Sequence, residues 1–208
     1  MITSALIDNY DTFYINDFLY SNEIIYKAFF MKADYSEEKI YKYYNLFRNL
    51  LSDKLPCNYV SINFGNKFFS SHDALLIGAI RDNIEEYRYD LNDKEYAILL
   101  ASLLYSADRS ANTCGHYDAY IKKDNIRSSF KYELIEPIIK SARDNRNIVI
   151  TREDSNKLAS KIKSDIIYID PPYSSRQYSR FYHVLETLTK WNYPQLFGEA
   201  RKPEQENM

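Results

Sequence analysis

Two hydrophobic patterns divide the chain. Apolar residues recur at helical spacing through much of its middle, and short continuous β-rich runs lie near its two ends. "DTFYIND" (11–17) reads as a brief strand, and "FLYSNEIIYKAFFMKA" (18–33) as the helix behind it. Ser36, with Glu37 and Glu38 in the first turn, opens a second helix over "EEKIYKYYNLFRNLL". "SSHDALLIGAIRDNIEEY" gives a third. Asn92, with Glu95 three residues on, makes a capping box before "YAILLASLLYSA". Residues 34–145 are therefore predicted to be mostly helical, with loops around 53–70, 85–93 and 113–130.

The period changes after residue 146. "NIVIT" (147–151) and "DIIYI" (165–169) are strand candidates, each followed by a helical pattern. The first of these helices, "EDSNKLASKI", is capped near Asp154 or Ser155, and the second runs over "SRQYSRFYHVLETLTKW". Strand–helix–strand–helix order predicts an α/β fold with parallel pairing and strands buried on both faces. Residues 194–208 read as a polar end, and no internal repeat is visible.

Composition narrows the class. In 208 residues, 45% are hydrophobic and 27% charged, which suits a globular protein and not a disordered one. No apolar run approaches the roughly 18 residues of a membrane span, and the N-terminus lacks the pattern of a secretory signal. No membrane partner is expected, and a reducing cytoplasm is the expected compartment. Cys57 and Cys114 form neither a disulfide framework nor, with three histidines, a zinc set, so no metal is expected and both thiols read as small buried residues. The net charge of −2 is unevenly spread: Arg109 to Lys163 holds 12 Lys+Arg against 7 Asp+Glu. That stretch is either an electrostatic footprint for phosphates or a set of solvated helix faces.

In open parallel sheets, ligands sit beyond the carboxyl ends of the strands. Asp17, Asp154 and Asp170 fall there. Asp17 suits ribose hydroxyls or, equally simply, a helix N-cap. "DPPY" is more demanding. Pro171 and Pro172 remove two backbone donors and stiffen the chain, leaving carbonyl oxygens fixed and unpaired. Beside them stand the carboxylate of Asp170, an acceptor only, and the flat ring of Tyr173. Together they accept two hydrogens from an amino group and stack on a planar ring, as an adenine base requires. The plain alternative is a rigid turn that stops a strand.

"DIIYIDPPY", its continuation "SSRQYSRFYHVLETL" and the upstream "NTCGHYDAY" (112–120) resemble the Dam-like branch of adenine-specific DNA methyltransferases. The resemblance implies a Rossmann-like class I methyltransferase sheet, incomplete here, with a mainly helical insertion. Residues 1–33 and 146–208 would form a partial catalytic domain, and 34–145 the target-recognition region. It implies S-adenosylmethionine as cofactor, held by Asp17, Asp154 and Asp170, and double-stranded DNA as partner. By the same resemblance Asp170 and the Pro171 carbonyl hold the target amino group, Pro172 stiffens the corner, and Tyr173 stacks on a flipped adenine. Arg176, Gln177, Tyr178 and Arg180 would contact the DNA backbone, unless they form a solvated first helical turn. Asn112 and His116, with Tyr117 and Asp118, would line the DNA-facing cleft, although Gly115 also reads as a simple helix end.

One part of the family pattern has no counterpart. The Phe-x-Gly-x-Gly turn that cradles the cofactor is absent, since no glycine precedes Gly65. A complementary chain carrying that turn is an expected partner, and a sheet of three strands would leave apolar edges that favour association. Two further readings stay open: a fragment or split subunit that binds DNA or a partner chain without catalysis, and methylation of adenine in RNA. With half of the cofactor pocket missing, the isolated chain is expected to bind S-adenosylmethionine more weakly than micromolar. Calorimetric titration checks this, and micromolar affinity would refute it.

Overall fold

Caps decide where most of the helices begin. The computed structural model describes residues 2–171 and 178–204. In chain order these form α1 (Ile2–Leu6), β1 (Thr12–Asn16), α2 (Tyr20–Phe30), α3 (Glu37–Arg48), α4 (Tyr59–Phe64), α5 (Ser71–Glu86) and α6 (Asp93–Ser110). There follow β2 (Asn147–Thr151), α7 (Ser155–Ala159), α8 (Tyr178–Phe181), α9 (His183–Lys190), β3 (Leu196–Phe197) and β4 (Lys202–Pro203). Ser36 caps α3 by accepting from the Lys39 N–H at 3.1 Å. The Asn92–Glu95 capping box forms as its spacing predicts, with both reciprocal bonds at 2.9 Å. Glu95, almost wholly buried, also accepts from the Ser36 N–H at 3.0 Å and so ties the start of α3 to the start of α6.

α6 is the axis of the molecule. Ala97, Ile98, Leu99, Leu100, Leu103 and Leu104 are buried around its whole circumference, the signature of a helix enclosed by others. α2, α3, α5 and α9 pack against it. One core runs through Ala28 of α2, Ile98 of α6 and Val184 of α9, so it is continuous between the predicted helical insertion and its flanks. A smaller cluster of Ile7, Ile15, Phe30 and Ile139, with Phe13, Ile148 and Ile150 beside it, lines the sheet.

The sheet is parallel, but it joins β1 to β2 across the helical segment, in register from Thr12↔Asn147 to Asn16↔Thr151. The third predicted strand, 165–169, is a correction: it forms no strand. Ile166, Ile167, Tyr168 and Ile169 are 61%, 64%, 63% and 75% exposed. A strand exists only through a neighbour's backbone groups, and among the described residues none reaches this segment. The described fold is thus mixed α/β, with many helices round a two-stranded parallel sheet and a small antiparallel hairpin, β3–β4.

Other boundaries moved for local reasons. The loop predicted over 53–70 contains α4, nucleated by a capping box between Asn58 and Ser61. Residues 111–146, predicted to be partly helical, carry no regular element. Part of that run is extended along α6 and satisfied by its serines. Ser106 Oγ accepts from the Glu133 N–H at 2.9 Å and Ser102 Oγ from the Ile135 N–H at 3.1 Å. Both cysteines are exposed, against the expectation of burial. The helix predicted after residue 174 is broken at Tyr182 into α8 and α9. No described helix is long and apolar enough to cross a membrane.

Lys94 closes the C-terminal end of α2. Its buried ammonium donates to Met31 O at 3.0 Å and, at 3.4 Å, to Lys27 O, and burial pulls its pKa down from 10.5 to about 8. Between these two values the unfolded chain binds more protons than the folded one, so stability rises as pH is raised through that window. Denaturant unfolding at pH 7 and pH 9.5 is expected to show wild type gaining on Lys94→Met, by at most about 3 kcal/mol.

Candidate active site

The carboxyl ends of the two parallel strands carry the first acids. Asp17 directly follows β1, and its N–H reaches Thr151 O at 3.4 Å, continuing the ladder by one bond. Its carboxylate is half-buried and locally engaged: Oδ1 accepts from the Leu19 N–H at 2.9 Å and Oδ2 from Asn22 Nδ2 at 2.8 Å. Asp17 therefore shapes the entry to α2 without capping it: against the N-cap alternative, Leu19 holds the cap position. Asp154 caps α7, accepting from the Asn156 N–H at 2.8 Å and the Lys157 N–H at 3.2 Å. Asn16 joins the two strand ends. It accepts from the Thr151 hydroxyl and the Glu153 N–H, and donates to Glu153 O and Ser155 Oγ.

Asp170 and Pro171 are exposed. Asp170 lies near enough to act on the Tyr26 phenol, which Asp17 also influences. Burial first, then Asp17, then Asp170, push the Tyr26 pKa up to about 12, so this hydroxyl remains a donor at neutral pH. Tyr26 stands one helical turn beyond Asn22, the partner of Asp17, so Asn22 and Tyr26 share a face of α2. The charges of the acid after β1 and of the acid of the Asp-Pro-Pro-Tyr segment thus both raise the pKa of one phenol. Pro172, Tyr173, Arg176 and Gln177 lie outside the described residues.

Downstream, residues 112–121 brace the helix that follows. The Tyr117 N–H donates to Phe181 O at 2.7 Å, and its buried hydroxyl donates to Asp108 Oδ1 at 2.9 Å. His116 meets the Phe181 ring edge-on at 5.3 Å. Tyr178 packs on Phe181 and Tyr182. Arg180 is half-buried and borders an open depression of about 400 Å³ with Phe197, Glu199 and Lys202. Asn112 turns inward. It is 6% exposed, and its amide donates to Lys67 O at 3.0 Å and Ile121 O at 2.7 Å, so it organises the loop's interior. His183 is fully buried, with its ring nitrogens 3.1 Å and 2.9 Å from the carbonyls of Arg180 and Ala200. Two carbonyl acceptors favour the protonated ring, but burial outweighs them and lowers the pKa to about 4.

Comparison with known proteins identifies the family. Residues 2–206 match the D12 class N6 adenine-specific DNA methyltransferase family. The chain belongs to that family. It is 37% identical over 139 residues to the modification methylase LlaI of Lactococcus lactis subsp. lactis, covering 64% of this chain and 22% of that protein. It is 38% identical over 134 residues to the modification methylase StsI of Streptococcus sanguinis, covering 63% and 20%. With the type II methyltransferase M.CviAII of Paramecium bursaria Chlorella virus 1 it shares 40% over 127 residues, covering 60% and 37%. The aligned part is therefore only a fifth to two-fifths of these relatives' lengths. No solved structure matches the chain.

Sequence reasoning did not single out two side chains near Asp17: Tyr26, and Glu186 of α9, which accepts from the Tyr20 and Ser21 N–H groups. Tyr26 looked like one of many apolar positions on α2, and only its place one turn from Asn22 hinted otherwise. Glu186 sits in "VLETL", where an acid inside an apolar run was the available signal. Asp154 caps α7 and Asp17 ties the Leu19 N–H to the Asn22 side chain, so removing either carboxylate carries a stability cost. Asp17→Ala and Asp154→Ala are each expected to lower unfolding free energy by about 1 kcal/mol in denaturant titrations. A change near zero at Asp17 would mean that its carboxylate does not hold α2.

Proposed function

We propose that this chain carries the amine-recognising part of an adenine-specific DNA methyltransferase. The reaction is transfer of a methyl group from S-adenosylmethionine to the exocyclic amino group of a flipped adenine in double-stranded DNA. Family membership carries the reading, and the acids that follow the two parallel strands, Asp17 after β1 and Asp154 after β2, support it. The relatives named above, which are modification methylases, support the same chemistry.

The acids fit the cofactor. Each Asp17 oxygen keeps a lone pair beyond its local bond, enough to accept from a ribose hydroxyl, and Asp154 and Asp170 are exposed. The glycines do not add a cradle beside them. Gly65 ends α4, Gly78 lies inside α5, and Gly115 and Gly198 turn loops with positive φ. S-adenosylmethionine, when bound, supplies an activated methyl group. Asp170 accepts one hydrogen of the target amine and the Pro171 carbonyl the other, so the nitrogen lone pair points at the methyl carbon. Pro172 fixes this corner, and Tyr173 stacks on the extruded base, returning part of the few kcal/mol that flipping costs. Alignment supplies most of the acceleration. Arg176, Gln177, Tyr178 and Arg180 meet the DNA backbone, with His116 and the Asn112 loop at the cleft edge, and residues 34–145 take the target-recognition role.

The exposed run Ile166–Ile169 favours a split arrangement. Four consecutive apolar side chains in water are an interaction surface. A partner segment carrying an apolar strand and a glycine-rich turn would pair there, extend the sheet to a Rossmann-like one, and complete the cofactor pocket.

The test is methyl transfer from labelled S-adenosylmethionine to unmethylated DNA, with and without a polypeptide bearing the Phe-x-Gly-x-Gly turn. N6-methyladenine is expected in the complemented reaction, and Asp170→Ala should cut its rate at least about a hundredfold without changing thermal stability. Transfer to RNA but not DNA would reassign the substrate. Absence of transfer to either would leave a non-catalytic binding subunit.

A further inference from the structure

α2 begins behind Leu19, a residue with no side-chain oxygen to offer the helix's first N–H groups. The missing acceptor comes from α9. Glu186 Oε1 accepts from the Ser21 N–H at 2.8 Å and Oε2 from the Tyr20 N–H at 3.2 Å. The carboxylate is 6% exposed, so these charge-assisted bonds act where water competes little. The same turn is gripped from two other sides. Arg152, the first residue after β2, lays its guanidinium 3.7 Å from the Tyr20 ring centroid and pairs with Glu23 at 3.2 Å. Lys190, one turn beyond Glu186, lies 4.7 Å from that ring.

These contacts join the supports of both acids. Asp17 lies just ahead of Tyr20 and shapes the same turn through Leu19 and Asn22. α9 belongs to the segment that follows Asp170. We propose that Glu186 is a positioning residue, locking the Asp17 corner to the helix downstream of Asp-Pro-Pro-Tyr so that the cofactor-side and amine-side acids keep one spacing. It touches neither base nor cofactor and acts through the first turn of α2. The catalytic consequence rests on the methyltransferase reading; the mechanical lock does not.

Amide hydrogen exchange on the 208-residue chain tests the lock directly, comparing wild type with Glu186→Ala and Glu186→Gln. Glu186→Ala is expected to speed exchange at Tyr20 and Ser21, and also at Leu19, whose N–H is held by Asp17, by roughly tenfold. Amides in α5 should be unchanged. Glu186→Gln keeps one acceptor oxygen and the side-chain volume, so it should restore part of the protection, and it carries the comparison where the alanine variant unfolds. Acceleration confined to Tyr20 and Ser21 would overturn the proposal, since the cap would then be purely local. In the complemented transfer reaction, Glu186→Ala is expected to raise the KM for S-adenosylmethionine about tenfold while that for DNA moves less than about twofold. Equal changes in both would also overturn it. A wild-type chain that transfers no methyl group would defeat the functional reading alone, and the exchange pattern would still decide the lock.

Discussion

Everything near the candidate site leans on the buried polar face of α9. This helix is only eight residues long, yet it buries His183, Glu186, Thr187 and Thr189. Such groups are tolerable in a core only when their hydrogen bonds are met. Glu186 meets the first turn of α2, and His183 lies within bonding distance of the β3–β4 hairpin at Ala200. At the other end the buried Arg81 of α5 donates to Leu188 O at 2.6 Å and lies 5.0 Å from the Trp191 ring. Trp191 closes α9 in the left-handed conformation. A short helix is thus held by charged or polar bonds at its start, middle and end, and removing one partner would leave another buried and unmet.

The acids at the strand ends serve the structure through local bonds. Asp17 orders the entry to α2 and Asp154 begins α7, both through backbone N–H groups at a strand-to-helix junction. The same junction in a parallel sheet faces the ligand side. A carboxylate placed there is oriented by its local bonds before any ligand arrives, which lowers the entropic cost of binding.

The run from Ile166 to Ile169 shows the limit of strand propensity. Its residues are β-branched and aromatic, as a doubly covered strand requires, but among the described residues the run pairs with neither β1 nor β2 and stays exposed. The parallel pairing itself was legible from the period of the chain. Its partners were not, because β1 and β2 are separated by the whole helical segment and nothing local encodes which strand lies beside which.

Several features were decided by the sequence on its own. Helix starts at Ser36 and Asn92 follow from side-chain oxygens two or three residues from the N–H groups they satisfy, a range within which local chemistry suffices. Tertiary structure alone decided the rest. Ser102 and Ser106 act as acceptors for a distant extended segment, Asn112 points inward, and Glu186 caps a helix that starts far upstream. Each of these joins groups far apart in the chain, and such a bond has no signature until the core has brought its partners together and excluded water from between them.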